Sequence, residues 1–236
     1  MREVAVVAHR GASGDFPENT ASAFLGAIEL SVETIEFDVR LTRDYRLVII
    51  HDQTVDRTSD GCGRVTDLNL ADIKALDAGS WFADRFAGER YLTLAETLDM
   101  MPASLRLNIH IKASDKDRHV LVPAVVQELV RRCLLGTAFV TGNEATVVIA
   151  RAIAPTLEIC TNLAVSRCRD IGCRMLQPGN GVTTPELVAE AHRHSIEVNP
   201  FYSDDDNETR RLIACGVDGI LTNYPKRMKD LMRRAI

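Results

Sequence analysis

The residues with most chemical content fall in three short stretches. His9, followed by Arg10, closes an apolar run that begins at Val4, so an imidazole and a guanidinium leave the carboxyl end of an expected strand. Glu36 and Asp38 stand two apart in a second run, where strand periodicity puts both carboxylates on one face and Ile35, Phe37 and Val39 on the other. On a strand covered on both faces, two unpaired carboxylates are costly to bury, and a divalent cation between them removes their repulsion. The plainer reading is an ion pair with Arg40 or Lys112, which suits one carboxylate better than two. His51-Asp52 comes thirteen positions after Asp38, at the end of an expected hairpin that returns to the same rim. A lone histidine after a strand is readily explained as a hydrogen-bonded structural residue. Two imidazoles, a pair of metal-ready carboxylates and an anion-binding arginine are, taken together, the parts needed to cleave a phosphodiester. One imidazole withdraws a proton from the attacking oxygen and the other protonates the departing alkoxide.

Positioning these groups requires strands that end on a common rim. Short β-branched apolar runs predict eight strands, near Val4–His9, Thr34–Arg40, Leu105–Ile111, Ala138–Thr141, Leu157–Thr161, Arg174–Gln177, Ile196–Tyr202 and Asp218–Thr222. Between them, Ala21–Leu30, Val120–Leu134, Ala145–Ala154, Pro185–His194, Glu208–Ala214 and Lys226–Arg234 have helical periodicity, with Thr184 as an N-cap before Pro185. This alternation predicts a parallel sheet covered by helices, and in a β/α barrel the chemistry sits at the carboxyl ends of the strands. From Leu41 to about Leu92 the rhythm breaks: Arg46–His51 reads as an extra strand behind the turn Thr42-Arg43-Asp44-Tyr45, and a short helix is expected at Leu70–Leu76. No linker rich in Gly, Ser or Pro divides the chain, so the expectation is one barrel domain over 1–236 with a small insertion, about 41–92, after the second strand.

The 236 residues carry 28 Lys and Arg against 33 Asp and Glu, a net charge of −5 that supplies no general attraction to nucleic acid or anionic lipid. The six cysteines form no CxxC pair and read as reduced thiols. The N-terminal apolar run is too short for a signal peptide or a membrane span, and the later apolar runs are also short. On the reading that the chain begins at Met1, a cytoplasmic protein without stable membrane insertion is expected.

The segments Val7-Ala8-His9-Arg10-Gly11-Ala12, Pro17-Glu18-Asn19-Thr20, Glu36-Phe37-Asp38-Val39 and His51-Asp52 resemble, in order and spacing, the glycerophosphodiester phosphodiesterase family. The resemblance continues through Asp77–Phe82, Arg85–Arg90, Thr93–Glu96, Leu107–Lys112 and Gly216–Thr222, nearly the whole chain. It implies a TIM (β/α)8 barrel that hydrolyses small-molecule glycerophosphodiesters, such as deacylated phospholipids, to glycerol 3-phosphate and an alcohol. Carried onto the matching positions, it makes His9 and His51 the acid/base pair, Glu36 and Asp38 ligands of one divalent metal ion, and Arg10 and Lys112 phosphate contacts. Related barrels act on lysophospholipids as phospholipases D, a second enzymatic reading, and a non-catalytic barrel that binds phosphorylated ligands is a third.

The chain departs from the family pattern at several positions. His110 stands where the family has an acidic third metal ligand. Asn108, His110 and Lys112 alternate along one strand face, so the imidazole still points to the site. As a ligand it weakens the case for Mg²⁺ or Ca²⁺, which the resemblance implies, and improves it for Mn²⁺, Co²⁺, Ni²⁺ or Zn²⁺. The alternative is that His110 binds no metal. Phe201 replaces a usual Trp, Asp204 a usual Asn, and Asn223 a usual Asp. Phe201 is expected either to supply an apolar wall for the substrate or to act as an ordinary core aromatic.

Overall fold

The computed structural model describes residues 4–234. The strands are β1 (Ala5–His9), β2 (Thr34–Leu41), β3 (Leu47–Ile49), β4 (Arg106–Ile111), β5 (Ala138–Thr141), β6 (Glu158–Thr161), β7 (Met175–Leu176), β8 (Glu197–Val198) and β9 (Gly219–Thr222). The helices are α1 (Ala21–Glu29), α2 (Leu70–Ala75), α3 (Leu94–Met100), α4 (Arg118–Arg131), α5 (Glu144–Ile153), α6 (Val165–Asp170), α7 (Pro185–Arg193), α8 (Asp206–Ala214) and α9 (Pro225–Arg234). Parallel pairing runs in the order β8-β7-β6-β5-β4-β2-β1-β9. Backbone bonds from Asp218 N to Val198 O (3.0 Å), Leu221 N to Pro200 O (3.1 Å) and Ser203 N to Leu221 O (2.8 Å) bring the two ends together. The result is a nearly closed eight-stranded parallel barrel with helices outside, as the alternation predicts.

The main apolar core lies between the barrel and its helices. Ile35, Phe37 and Val39 of β2 are fully buried on that side, where Phe37 meets Phe24 of α1 edge to face at 5.8 Å between ring centres. Each turns its neighbours on the strand inward, and Glu36 and Asp38 therefore enter the barrel by the strand's own pleat. α1 starts where it does because Thr20 Oγ1 accepts the Ala23 N–H.

The extra strand expected at Arg46–His51 is β3, paired antiparallel to β2 with Val39 opposite Ile49 and Leu41 opposite Leu47. Val48 of β3 and residues beyond the strand build a small core of their own, in which Val48, Ile50, Val55, Val65, Ile73, Ala78 and Tyr91 are buried.

Two expectations need correction. The strand expected at Ile196–Tyr202 is regular only over Glu197–Val198, because Pro200 has no N–H for a ladder and the next amide of this stretch to reach β9 is that of Ser203. Arg174–Gln177 is likewise regular only over Met175–Leu176. Helices α3 and α6 carried no assignment from periodicity. α3 has seven residues, and its signal is the capping box in which Thr93 and Glu96 bond each other's backbone amides. α6 has six residues, three of them charged, too few to show an apolar stripe.

Candidate active site

The site is assembled by strand register at the carboxyl end of the barrel. His9 lies opposite Glu36 in the β1–β2 pairing, and Asp38 lies opposite His110 in the β2–β4 pairing. Residues paired across neighbouring strands point to the same face, so the barrel sets an imidazole beside each carboxylate. His9 Nε2 is 3.9 Å from Glu36 Oε2, and His110 Nδ1 is 3.6 Å from Glu36 Oε1 and 3.5 Å from Asp38 Oδ1. Lys112, two residues beyond His110, places Nζ 3.2 Å from Asp38 Oδ1.

The β1–α1 turn supplies the guanidinium. Arg10 takes a left-handed conformation (φ 57°), its backbone N–H donates to Glu36 Oε2 at 3.1 Å, and its Nε lies 3.3 Å from Asp38 Oδ2. Asn19, also left-handed (φ 59°), donates from Nδ2 to Asp38 Oδ2 at 3.0 Å, and its Oδ1 accepts the Asp38 backbone N–H at 3.3 Å. Strained backbone of this kind persists only where its surroundings hold it, and here both ends are tied to the carboxylates.

Glu36 and Asp38 are 2% and 1% exposed. Burial raises the Asp38 carboxyl, but the fields of Lys112, His110, Arg10 and His51 overcome it and hold the group well below the usual carboxylate range. A buried anion is thus maintained by a ring of cationic and imidazole groups. One ligand atom each from Glu36, Asp38 and His110 lie within 4.8 Å of one another. Asp38 Oδ1 and Arg10 Nε are both buried and, beyond the ion-pair contacts of Oδ1 with Lys112 and of Nε with Asp38 Oδ2, make no hydrogen bond among the described residues. A carboxylate oxygen with a lone pair to spare in a mixed oxygen and nitrogen donor set fits a divalent cation, and the guanidinium beside it fits an anion. The plainer ion-pair reading holds for Lys112, which contacts Asp38, but not for Arg40, which donates to the carbonyls of His51 (2.8 Å) and Lys112 (3.3 Å).

His51 arrives from β3, after Ile50 N–H has bonded Asp38 O at 3.0 Å. Its Nδ1 lies 2.6 Å from Asp52 Oδ1, and Arg57 Nε donates to Asp52 Oδ2 at 2.6 Å. The Arg57 hydrogen bond, helped by His51 against a modest burial cost, draws the Asp52 carboxyl down to about 2. Burial lowers the affinity of His51 for a proton, and the pull of Asp38 and Asp52 does not fully offset it. Arg57 also bonds both oxygens of Glu18 (2.7 and 2.9 Å), and Glu18 Oε1 accepts from Arg10 at 2.9 Å. A continuous polar chain therefore joins Arg10 to His51 through Glu18, Arg57 and Asp52.

Of the residues singled out in the sequence, His9, Arg10, Glu36, Asp38, His110 and Lys112 come together, and His51 enters the field of Asp38. Phe201 is 43% exposed at the rim, and its neighbour Tyr202 lines the cleft, stacked on His9 with ring centres 5.3 Å apart. Asn223 and Asp204, two of the departures, also line the cleft, with Ser13. Glu18 and Asn19 stand inside a motif already quoted, which was their only signal. Arg57 and Tyr202 carried none, since Glu18 and His9, the partners that bring them to the site, are distant in the chain.

The model of the glycerophosphoryl diester phosphodiesterase family matches residues 9–227. A glycerophosphodiester phosphodiesterase of Caldanaerobacter subterraneus is 36% identical over 97% of this chain and 98% of its own. The crystal structure of a glycerophosphodiester phosphodiesterase from Agrobacterium tumefaciens superposes with a TM-score of 0.84 at 27% identity, covering 98% of this chain and 100% of that one. An Oleispira antarctica phosphodiesterase, solved in complex with the product sn-glycerol-3-phosphate, superposes with a TM-score of 0.90 at 25% identity over 97% and 96% of the two chains. With the motif residues gathered on one barrel rim and a family match over nearly its full length, the chain belongs to the glycerophosphodiester phosphodiesterase family and is an enzyme of that class.

Proposed function

We propose that this rim hydrolyses a glycerophosphodiester to glycerol 3-phosphate and an alcohol in a metal-dependent reaction, with His9 and His51 as the proton-transfer pair. The observation that carries the reading is the candidate cation site of Glu36, Asp38 and His110 with His9 Nε2 3.9 Å from Glu36 Oε2, and with His51 returned to the same rim by the backbone bond from Ile50 to Asp38. The product bound in the Oleispira antarctica neighbour supports it. Glu36, Asp38 and His110 would hold the cation, which supplies positive charge to a phosphoryl oxygen when bound. Arg10 and Lys112 approach the same carboxylates and offer N–H donors to the phosphate, offsetting charge that develops in the transition state. His9 withdraws the proton of the attacking oxygen through Nε2, and His51 protonates the departing alkoxide. Phe201, exposed beside Tyr202, offers an apolar surface to the part of the substrate that projects from the cleft.

The resemblance implies Mg²⁺ or Ca²⁺, and the nitrogen of His110 favours Mn²⁺, Co²⁺ or Zn²⁺. The reading includes a single barrel domain with its small insertion. Among the described residues no helix is long and apolar enough to cross a membrane. The experiment is an assay of metal-depleted protein on glycerophosphocholine and glycerophosphoethanolamine, with each of these metals added back separately. Release of glycerol 3-phosphate that requires an added metal is expected. Full turnover after depletion would remove the metal from the reading, and no turnover of either diester with any metal would remove the substrate class.

A further inference from the structure

His9 is gripped from the side opposite its reactive nitrogen by groups to which the reaction has so far given no part. Its Nδ1 lies 2.7 Å from Asn223 Oδ1. Ser13 Oγ lies 2.9 Å from the same oxygen and 2.7 Å from the His9 carbonyl. The other end of the Asn223 amide donates from Nδ2 to Asp204 Oδ2 at 2.6 Å. Asp204 Oδ1 in turn accepts the Asn223 backbone N–H at 2.8 Å and the Thr222 hydroxyl at 3.0 Å. An ionised carboxylate only accepts hydrogen bonds, so the amide edge that faces Asp204 is the NH₂ group and the edge that faces His9 is the oxygen. An oxygen acceptor at Nδ1 requires the ring proton to sit on Nδ1, which leaves the lone pair of the neutral imidazole on Nε2, the nitrogen that faces Glu36. Tyr202, stacked on the ring at an interplanar angle of 18°, fixes its plane.

We propose that Asn223 and Asp204 are positioning residues that hold His9 as its Nδ1–H tautomer with Nε2 as the proton-transferring atom. The carboxylate orients the amide and the amide orients the imidazole, so the group at Nδ1 is a neutral amide oxygen and not a full negative charge. The proposal rests on His9 being a proton-transfer residue. It makes a donor and acceptor prediction at both positions. In Asp204→Asn an NH₂ group can meet the Asn223 NH₂, which turns the Asn223 amide over and presents a donor to Nδ1. In Asn223→Asp two carboxylates meet at a 2.6 Å contact. In the exchanged pair Asp204→Asn/Asn223→Asp, the new carboxylate accepts from both His9 and the new amide, and complementarity returns.

The test compares Asn223→Ala, the two single variants and the exchanged pair, each metal-saturated, by steady-state kinetics on glycerophosphoethanolamine and by ¹⁵N NMR of the imidazoles. Asn223→Ala is expected to lower kcat by about 10²-fold with KM little changed, since neither residue touches the metal ligands or the phosphate donors. Its His9 signals should move from a single Nδ1-protonated form to a tautomer mixture. The exchanged pair should regain at least about tenfold over either single variant, a coupling that independent sites do not show. If Asn223→Ala does not fold, the exchanged pair alone decides: an exchanged pair no more active than its parents of one substitution overturns the proposal. Parental kcat or an unchanged His9 tautomer in folded Asn223→Ala also overturns it. His9→Ala separates the layers. Its full activity would bring down the proton-transfer role of His9 itself, whereas an inactive His9→Ala beside a fully active Asn223→Ala brings down only the positioning.

Discussion

Under the proposed function, position 110 is the place to test which cation the site takes. Its imidazole sits between both carboxylates, 3.6 and 3.5 Å from them, so a ligand exchange there changes the donor set without moving a strand. His110→Glu is expected to shift the activating ion from Mn²⁺ or Co²⁺ toward Mg²⁺ or Ca²⁺, because hard cations prefer oxygen. Activity measured with each metal in turn checks this; an unchanged order places His110 outside the coordination sphere. The proton-transfer roles proposed for His9 and His51 are distinguishable by leaving group. His9→Ala and His51→Ala should each lose about 10²–10⁴-fold in turnover. A p-nitrophenyl diester, whose phenolate departs without a proton, should partly restore His51→Ala and leave His9→Ala impaired. Equal losses on both substrates would show that His51 is not the acid.

Among the elements, the turn between β1 and α1 does most to shape the site, because it bends Arg10 back onto Glu36 and Asp38. Gly11 makes the bend possible: its φ is +82°, and a Cβ there would lie 2.6 Å from the carbonyl carbon and oxygen of Ala23 in α1. Gly11→Ala therefore meets both a left-handed conformation and a backbone clash, and is expected to destabilise the fold by about 2–4 kcal/mol. Thermal unfolding should record this as a drop in Tm of about 5–15 °C. An unchanged Tm would mean that the turn shifts away from α1, and the Arg10 contacts would then be lost with it.

At the scale of the whole molecule, Arg57 ties the insertion to the barrel, since it bonds Asp52 after β3 and Glu18 before α1, with its guanidinium 5.8 Å from the centre of the Trp81 ring. The Arg57 hydrogen bond depresses Asp52 to about 2 from an ordinary 3.8. Glu18 is also lowered, its burial penalty overcome by Arg57 and Arg10. Carboxyls whose folded value is depressed add stability above their unfolded value, and that stability is lost as pH falls through about 4 toward 2. Arg57→Gln should therefore lower stability at pH 7 by about 1–2 kcal/mol, discounted because Arg57 is half exposed to solvent, and should flatten the fall in Tm between pH 5 and pH 3. A variant whose Tm falls as steeply as the parent over that range would show that these pairs do not couple the two parts.

Strand periodicity alone placed Glu36 and Asp38 on one face, because a pleat alternates whatever surrounds it, and the hairpin to His51 followed from a turn too short for anything else. His110 and Lys112 were legible for the same reason, two residues apart on β4. The ends of β7 and β8 were not, because their regularity depends on which neighbour takes each amide and Pro200 removes one. Asn19, Arg57, Tyr202 and the Asn223–Asp204 pair were decided by tertiary structure: His9 and Asn223 are 214 residues apart, and their contact exists only because β9 closes the barrel beside β1. Local sequence determines which way a side chain points, since that depends on backbone geometry within a few residues. Which partner it meets depends on strand order and register around the barrel, which the packing of the whole chain sets.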